Sequence, residues 1–292
     1  MAFQSMEEII KEVNRSGKTM AQVIRKADCK ENGISEEDSL TKMEHMWNTM
    51  YQASCAYEGE LRSKSGFVGG DGDRMKKYVD TNDSYAGDFD GNVIAEAIKM
   101  GESNACMKQI VASPTAGSCG VIPAVLIVSY KKFGFSKEEI VNSLYVAAGI
   151  GQVISHRASL AGAAGGCQAE IGSASAMAAG ALVYLKKGTA EQIAHGVAMA
   201  LKNMLGLVCD PVAGLVEIPC VKRNVAGAMN AIAAADMALA HVESRIPVDQ
   251  VIDAMREIGD AMPMQYKETA CGGCAATEWA KQAEENMRAN RE

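Results

Sequence analysis

Three of the nine cysteines stand in segments that suit metal or thiolate chemistry: Cys167 in AGAAGGCQAEIG, and Cys209 and Cys220 in VCDPVAGLVEIPC. Cys167 follows a glycine run and is expected to open a helix, whose free amides and positive end favour a thiolate. Cys209 follows Leu205-Gly206-Leu207 at an expected helix end, and Cys220 closes a loop that Pro211 and Pro219 keep out of helix. Both are therefore expected on loop backbone. Three thiolates on turns and helix ends can converge on a metal while a helical scaffold excludes water. Their spacing matches none of the common zinc or ferredoxin patterns. On residue types alone, a metal site and three small buried apolar side chains both stay open. Cys271 and Cys274 form CGGC, a spacing compatible with redox or metal binding and equally with no role.

The elements that must hold these residues read as helical. Over 35–57 the residues Leu40, Met43, Met46, Trp47, Met50 and Tyr51 recur at spacings of three and four, which places them on one helix face. Ser5 with Glu8, Ser136 with Glu139, and Thr189 with Gln192 have capping-box spacing. Further helices are expected near 92–111, 168–186, 222–242 and 248–259, and no run alternates as a half-buried strand would. AEIGSASAMAAGAL and NVAGAMNAIAAADMALA are rich in small residues, so their helices should pack closely and deep. Gly-rich loops lie at 66–73, 113–120 and 161–168, where backbone amides can approach a ligand. The expectation is a mainly α protein: a single compact all-helical domain over 1–292, with a helical N-terminal extension over about 1–60 and Gly-rich loops around a buried site.

Composition narrows the function. A net charge of −7 over 292 residues argues against a phosphate-rich partner, so neither nucleic acid nor an anionic membrane is expected. The N-terminal stretch is amphipathic and carries Glu7 and Glu8, unlike a signal peptide, and an odd number of cysteines does not suit a disulfide framework. A cytoplasmic protein is expected. The longest apolar stretch, VIPAVLIVSY, is about half the length of a membrane-spanning helix. SGKT at 16–19 lacks the P-loop glycine, since position 12 is Glu. GxGxxG after a strand, GxSxG and HExxH are absent, and His45, His156, His195 and His241 are isolated from one another. Only His156, in the loop-like ISHRASLAG, is a candidate to line a site.

RSKSGFVGGDGD, NACMKQIVASPTAGSCGVIPAVL, HRASLAGAAGGCQAEIGSASAMAAG, LVCDPVAGLVEIPC and YKETACGGCAAT together resemble the α chain of the bacterial iron-sulfur-dependent L-serine dehydratases, a likeness covering most of 60–277. The resemblance implies a lyase in which Cys167, Cys209 and Cys220 hold a 4Fe-4S cluster. Its fourth iron, lacking a protein thiolate, acts as a Lewis acid on the hydroxyl of L-serine, giving pyruvate and ammonia. It also implies that Ser113, Thr115, Gly117 and Ser118 cradle the substrate carboxylate. The reading beside it is that Ser118 or Thr115 caps the helix of VIPAVLIV. Lys64, Asn104 and Arg157 lie in these segments and stay open between positioning and structural roles. His156-Arg157 departs from the family's Asn-Arg, which weakens any role for His156.

The family's Ser-Ser-His-Thr-rich motif is absent, and the last cysteine is Cys274. The catalytic base is thus unidentified and expected on a β chain, within a hetero-oligomer. The alternatives are an L-cysteine desulfidase-like lyase and a non-catalytic iron-sulfur sensor protein.

Overall fold

The computed structural model describes residues 3–289. Its helices are α1 (Met6–Ser16), α2 (Met20–Asn32), α3 (Glu36–Cys55), α4 (Asp71–Val79), α5 (Gly87–Ala105), α6 (Val121–Phe133), α7 (Lys137–Arg157), the single turn α8 (Gly162–Gly165), α9 (Ser173–Leu185), α10 (Ala190–Met204), α11 (Cys220–Leu239), α12 (Val248–Ala261) and α13 (Glu278–Ala289). A π-helical turn, Gln168–Gly172, leads into α9. The fold is all-α. Among the described residues the only β pairing is an isolated parallel bridge between Cys209 and Lys267. No described helix is long and apolar enough to cross a membrane.

Local chemistry sets most helix starts. Ser136 and Thr189 form reciprocal capping boxes with Glu139 and Gln192. Thr19 and Gln22 form a third, at a start the sequence reading did not mark. Ser5 accepts from the Glu8 amide, but the Glu8 carboxylate accepts from Gln4 N, one residue earlier than a box requires.

The sequence-based boundaries need several corrections. The expected helix over 92–111 begins at Gly87 and stops at Ala105, because Met107 adopts a left-handed φ of 59° that no glycine announces. The ISHRASLAG segment is not loop at its start: α7 runs to Arg157, which leaves His156 exposed on its last turn. Cys220 is not on loop backbone but is the first residue of α11, with Pro219 at the cap, where its missing N–H costs nothing.

α9 is the core's centre. All its residues except Leu182 and Tyr184 are buried, and it packs on α6, α7, α10 and α11. Small side chains let these helices approach: a Cβ on Gly180 would lie 2.2 Å from Ile150 Cδ1 of α7. The N-terminal helices join the same core through Met6, Ile9, Ile24, Trp47 and Met50. Two buried carboxylates fasten the loops. Glu102 accepts from Tyr57 Oη at 2.6 Å and from the Asp71 and Gly72 amides at 2.9 and 3.2 Å, so it caps α4 from α5. Glu217 accepts from Ser63 Oγ at 2.8 Å and from Ser65 Oγ, tying the 63–70 loop to the loop before α11.

Candidate active site

Three chain segments meet where α9 and α11 begin and α10 ends. The π turn packs against α8, α9, α10, α11 and α12. Gln168 N donates to Leu207 O at 2.9 Å, and Gly206 N donates to Gln168 Oε1 at 3.0 Å, which fixes Cys167 beside the segment bearing Cys209. Cys209 is held by its own backbone: its N–H donates to Tyr266 O at 2.8 Å, and its carbonyl accepts from Glu268 N at 3.1 Å. Cys220 sits on the first turn of α11, where Asn224 Nδ2 donates to its carbonyl at 2.9 Å.

All three thiols are buried. The Cys209 thiol hydrogen-bonds Cys167, and this lowers the pKa of Cys167 despite its burial, with help from the Arg223 guanidinium. The same hydrogen bond, with burial, pushes Cys209 far up. Burial, then the nearby Cys167 charge, pushes Cys220 up to about 12. Arg223, three residues along α11 from Cys220, is the cation among them. Its guanidinium donates to Val208 O at 2.8 Å and pairs with buried Asp210 at 2.7 Å. Although burial disfavours its charge, Cys167 and Asp210 outweigh that and raise its pKa. Asp210 in turn accepts from Cys274 N at 2.6 Å, so the CGGC turn rests on the edge of the site, with Cys271 and Cys274 both exposed.

The SPTAG loop adjoins this cluster. Asn224 Nδ2 donates to Gly117 O at 2.9 Å, and Gly120 N donates to Asn224 Oδ1 at 2.8 Å. Thr115 Oγ1 donates to Glu170 Oε1 at 2.7 Å and lies 3.0 Å from Ser118 Oγ. The helix-cap reading of this loop does not hold: α6 starts at an N-cap Gly120 without any side-chain cap, and the Ser118 hydroxyl stays within its own loop. Thr115 and Gly117 are half-buried, whereas Ser113 and Ser118 are buried. Of the open candidates, Arg157 is paired with Asp253 at 2.6 Å, a tie between α7 and α12, and Lys64 is exposed.

Glu170, Glu268, Asp210, Asn224 and Arg223 went unmarked in the sequence. Glu170 stands on the π turn, three residues from Cys167; such turns recur at functional sites. Burial raises its pKa, Thr115 lowers it, and Glu268 raises it.

Soft thiols from separate segments, shielded from water and beside a cation, are the donor set that iron-sulfur clusters use. Among the described residues no group of three or more His, Cys, Asp and Glu is arranged for a single metal ion.

Comparison with known proteins identifies the family. The model of the family "Serine dehydratase alpha chain" matches residues 7–275, which takes in the N-terminal helices. The chain is 43% identical over 285 residues to the "Probable L-serine dehydratase, alpha chain" of Bacillus subtilis, covering 98% of this chain and 95% of that one. It is 41% identical over 280 residues to the "L-serine dehydratase, alpha chain" of Peptoniphilus asaccharolyticus, covering 94% of each. It is 34% identical over 288 residues to an "L-serine dehydratase" of Helicobacter pylori, covering 94% of this chain and 62% of that protein.

Proposed function

From the premise that this chain belongs to the serine dehydratase alpha-chain family, a family of lyases, we propose that it is the α subunit of a cytoplasmic L-serine ammonia-lyase whose Cys167, Cys209 and Cys220 hold a 4Fe-4S cluster. The observation that supports this reading is the hydrogen-bonded pair of buried thiols Cys167 and Cys209, with Arg223 against Cys167 and buried Cys220 three residues from Arg223 on α11.

When bound, the cluster supplies an iron with no protein thiolate, a Lewis acid that eases departure of the substrate's hydroxide. The chain's own residues do the rest. Arg223 offsets the negative charge gathered on the thiolates, and its bonds to Val208 and Asp210 hold the Cys209 segment against α11. The Ala116 and Gly117 amides offer donors to the substrate carboxylate, with Thr115 and Ser118 shaping the loop through their hydroxyls. The buried setting keeps water away from the reacting carbon. Loss of the α-proton and of hydroxide leaves aminoacrylate. Its imine tautomer takes up water and releases pyruvate and ammonia, with no net redox change.

The base is assigned to a β chain. The relatives' "alpha chain" names support a multi-chain enzyme, and the match leaves part of the longer Helicobacter protein uncovered. The test is an anaerobic assay of the purified enzyme with L-serine and with L-cysteine, each scored for pyruvate, alongside iron and sulfide analysis. Iron, sulfide and pyruvate from serine are expected. Pyruvate from cysteine alone would make it a desulfidase, and bound cluster without either activity would make it a non-catalytic iron-sulfur protein.

A further inference from the structure

Glu170 holds a half-buried carboxylate with one hydrogen bond, from Thr115, and no ion-pair partner among the described residues. It fills a slot between two glycine loops. A Cβ on Gly117 would stand 3.1 Å from Glu170 Oε1, and a Cβ on Gly162 would stand 2.8 Å from Glu170 Oε2 and 3.1 Å from Glu268 Oε2. The second oxygen of Glu170 thus faces Gly162 and another carboxylate, with no cation between them. Withdrawing a carboxylate from water without a counter-charge is costly, and removing the charge would relieve that cost unless the charge serves a purpose. The Thr115 hydroxyl donates its hydrogen bond to Glu170, and the Ala116 and Gly117 amides of the same loop are donors suited to an anion. Donor amides beside a carboxylate without a cation match the two poles of a zwitterion.

We infer that Glu170, with Glu268 beside it, receives the α-ammonium group of the amino-acid substrate and sets the enzyme's preference for amino acids over the corresponding hydroxy acids. This rests on the serine reading above and adds the recognition of one substrate group to it.

The test uses the assembled, cluster-loaded enzyme and the variants Glu170→Gln and Glu170→Asp. The quantities measured are KM and kcat for L-serine, the inhibition constant of 3-hydroxypropionate, which keeps the hydroxyl and carboxylate but lacks the ammonium, and iron content. In Glu170→Gln the KM for serine should rise roughly ten- to a hundredfold, the range of a lost hydrogen bond between charged groups. Inhibition by 3-hydroxypropionate should hold or tighten, iron content should stay constant, and Glu170→Asp should recover part of the loss. An unchanged KM overturns the inference, as does equal weakening of serine and 3-hydroxypropionate, or loss of iron, which would make Glu170 structural. If the unsubstituted enzyme yields no pyruvate from serine, the serine reading itself fails.

Discussion

Arg223 and Glu170 put opposite charges on two sides of the candidate site, one against the thiolates and one against the glycine loops. Replacing Cys167, Cys209 or Cys220 by Ala is expected to abolish iron retention, whereas Cys29, Cys55 and Cys106 lie outside the cluster and should tolerate the change. Iron and sulfide analysis of anaerobically purified variants checks the contrast, and full iron content in Cys209→Ala would contradict the ligand set. Glu170 adds a pH prediction. Its folded pKa is raised, first by burial, so the folded state holds the proton more tightly than the unfolded chain. The stability from that extra proton is present at acid pH and is lost as pH rises from the ordinary carboxylate range through the folded value. Glu170→Gln should therefore melt higher than the natural protein at pH 8, and the gap should close toward pH 4; a variant that melts lower at pH 8 would contradict this. The three cysteines stood out in the sequence because the segments that carry them resemble those of the family. Glu170, Asn224 and Glu268 did not, since their roles come from neighbours far away in the chain.

At the scale of elements, the site depends on helices that end together. Period made α3, α9, α11 and α12 readable, capping spacings marked the starts of α7 and α10, and the small residues of α9 foretold its burial. The boundaries were less legible for physical reasons. Met107 stops α5 by a backbone conformation with no sequence marker, and α7 continues through Gly149 and Gly151 because close packing on Ile24 and Met177 rewards bare positions there. The closeness of α9 to α7 gives a direct test. Gly180→Ala should cost about 1–3 kcal/mol, since its methyl would stand 2.2 Å from Ile150 Cδ1 and 3.2 Å from Val197 Cγ2, so Ile150 must leave its place in the core. Thr189→Ala should cost about 1 kcal/mol through loss of the α10 cap. Chemical denaturation measures both, and an unaffected midpoint in Gly180→Ala would refute the packing account.

For the whole molecule, the absence of alternating runs made the all-α class readable, while the convergence of 113–120, 161–170, 207–210 and 220–224 is a tertiary fact that no local pattern encodes. On the proposed reading the site offers a cation to the thiolates, donors to a carboxylate and a carboxylate to an ammonium, and the base comes from a β chain. The most direct test loads the cluster into this chain anaerobically and measures pyruvate formation from L-serine before and after adding the β chain from the same source. Because losing a general base typically costs about 10²- to 10⁴-fold, the account predicts a rise of that order on addition. Turnover by this chain alone at the rate of the mixture would contradict it and return the search for the base to these 292 residues.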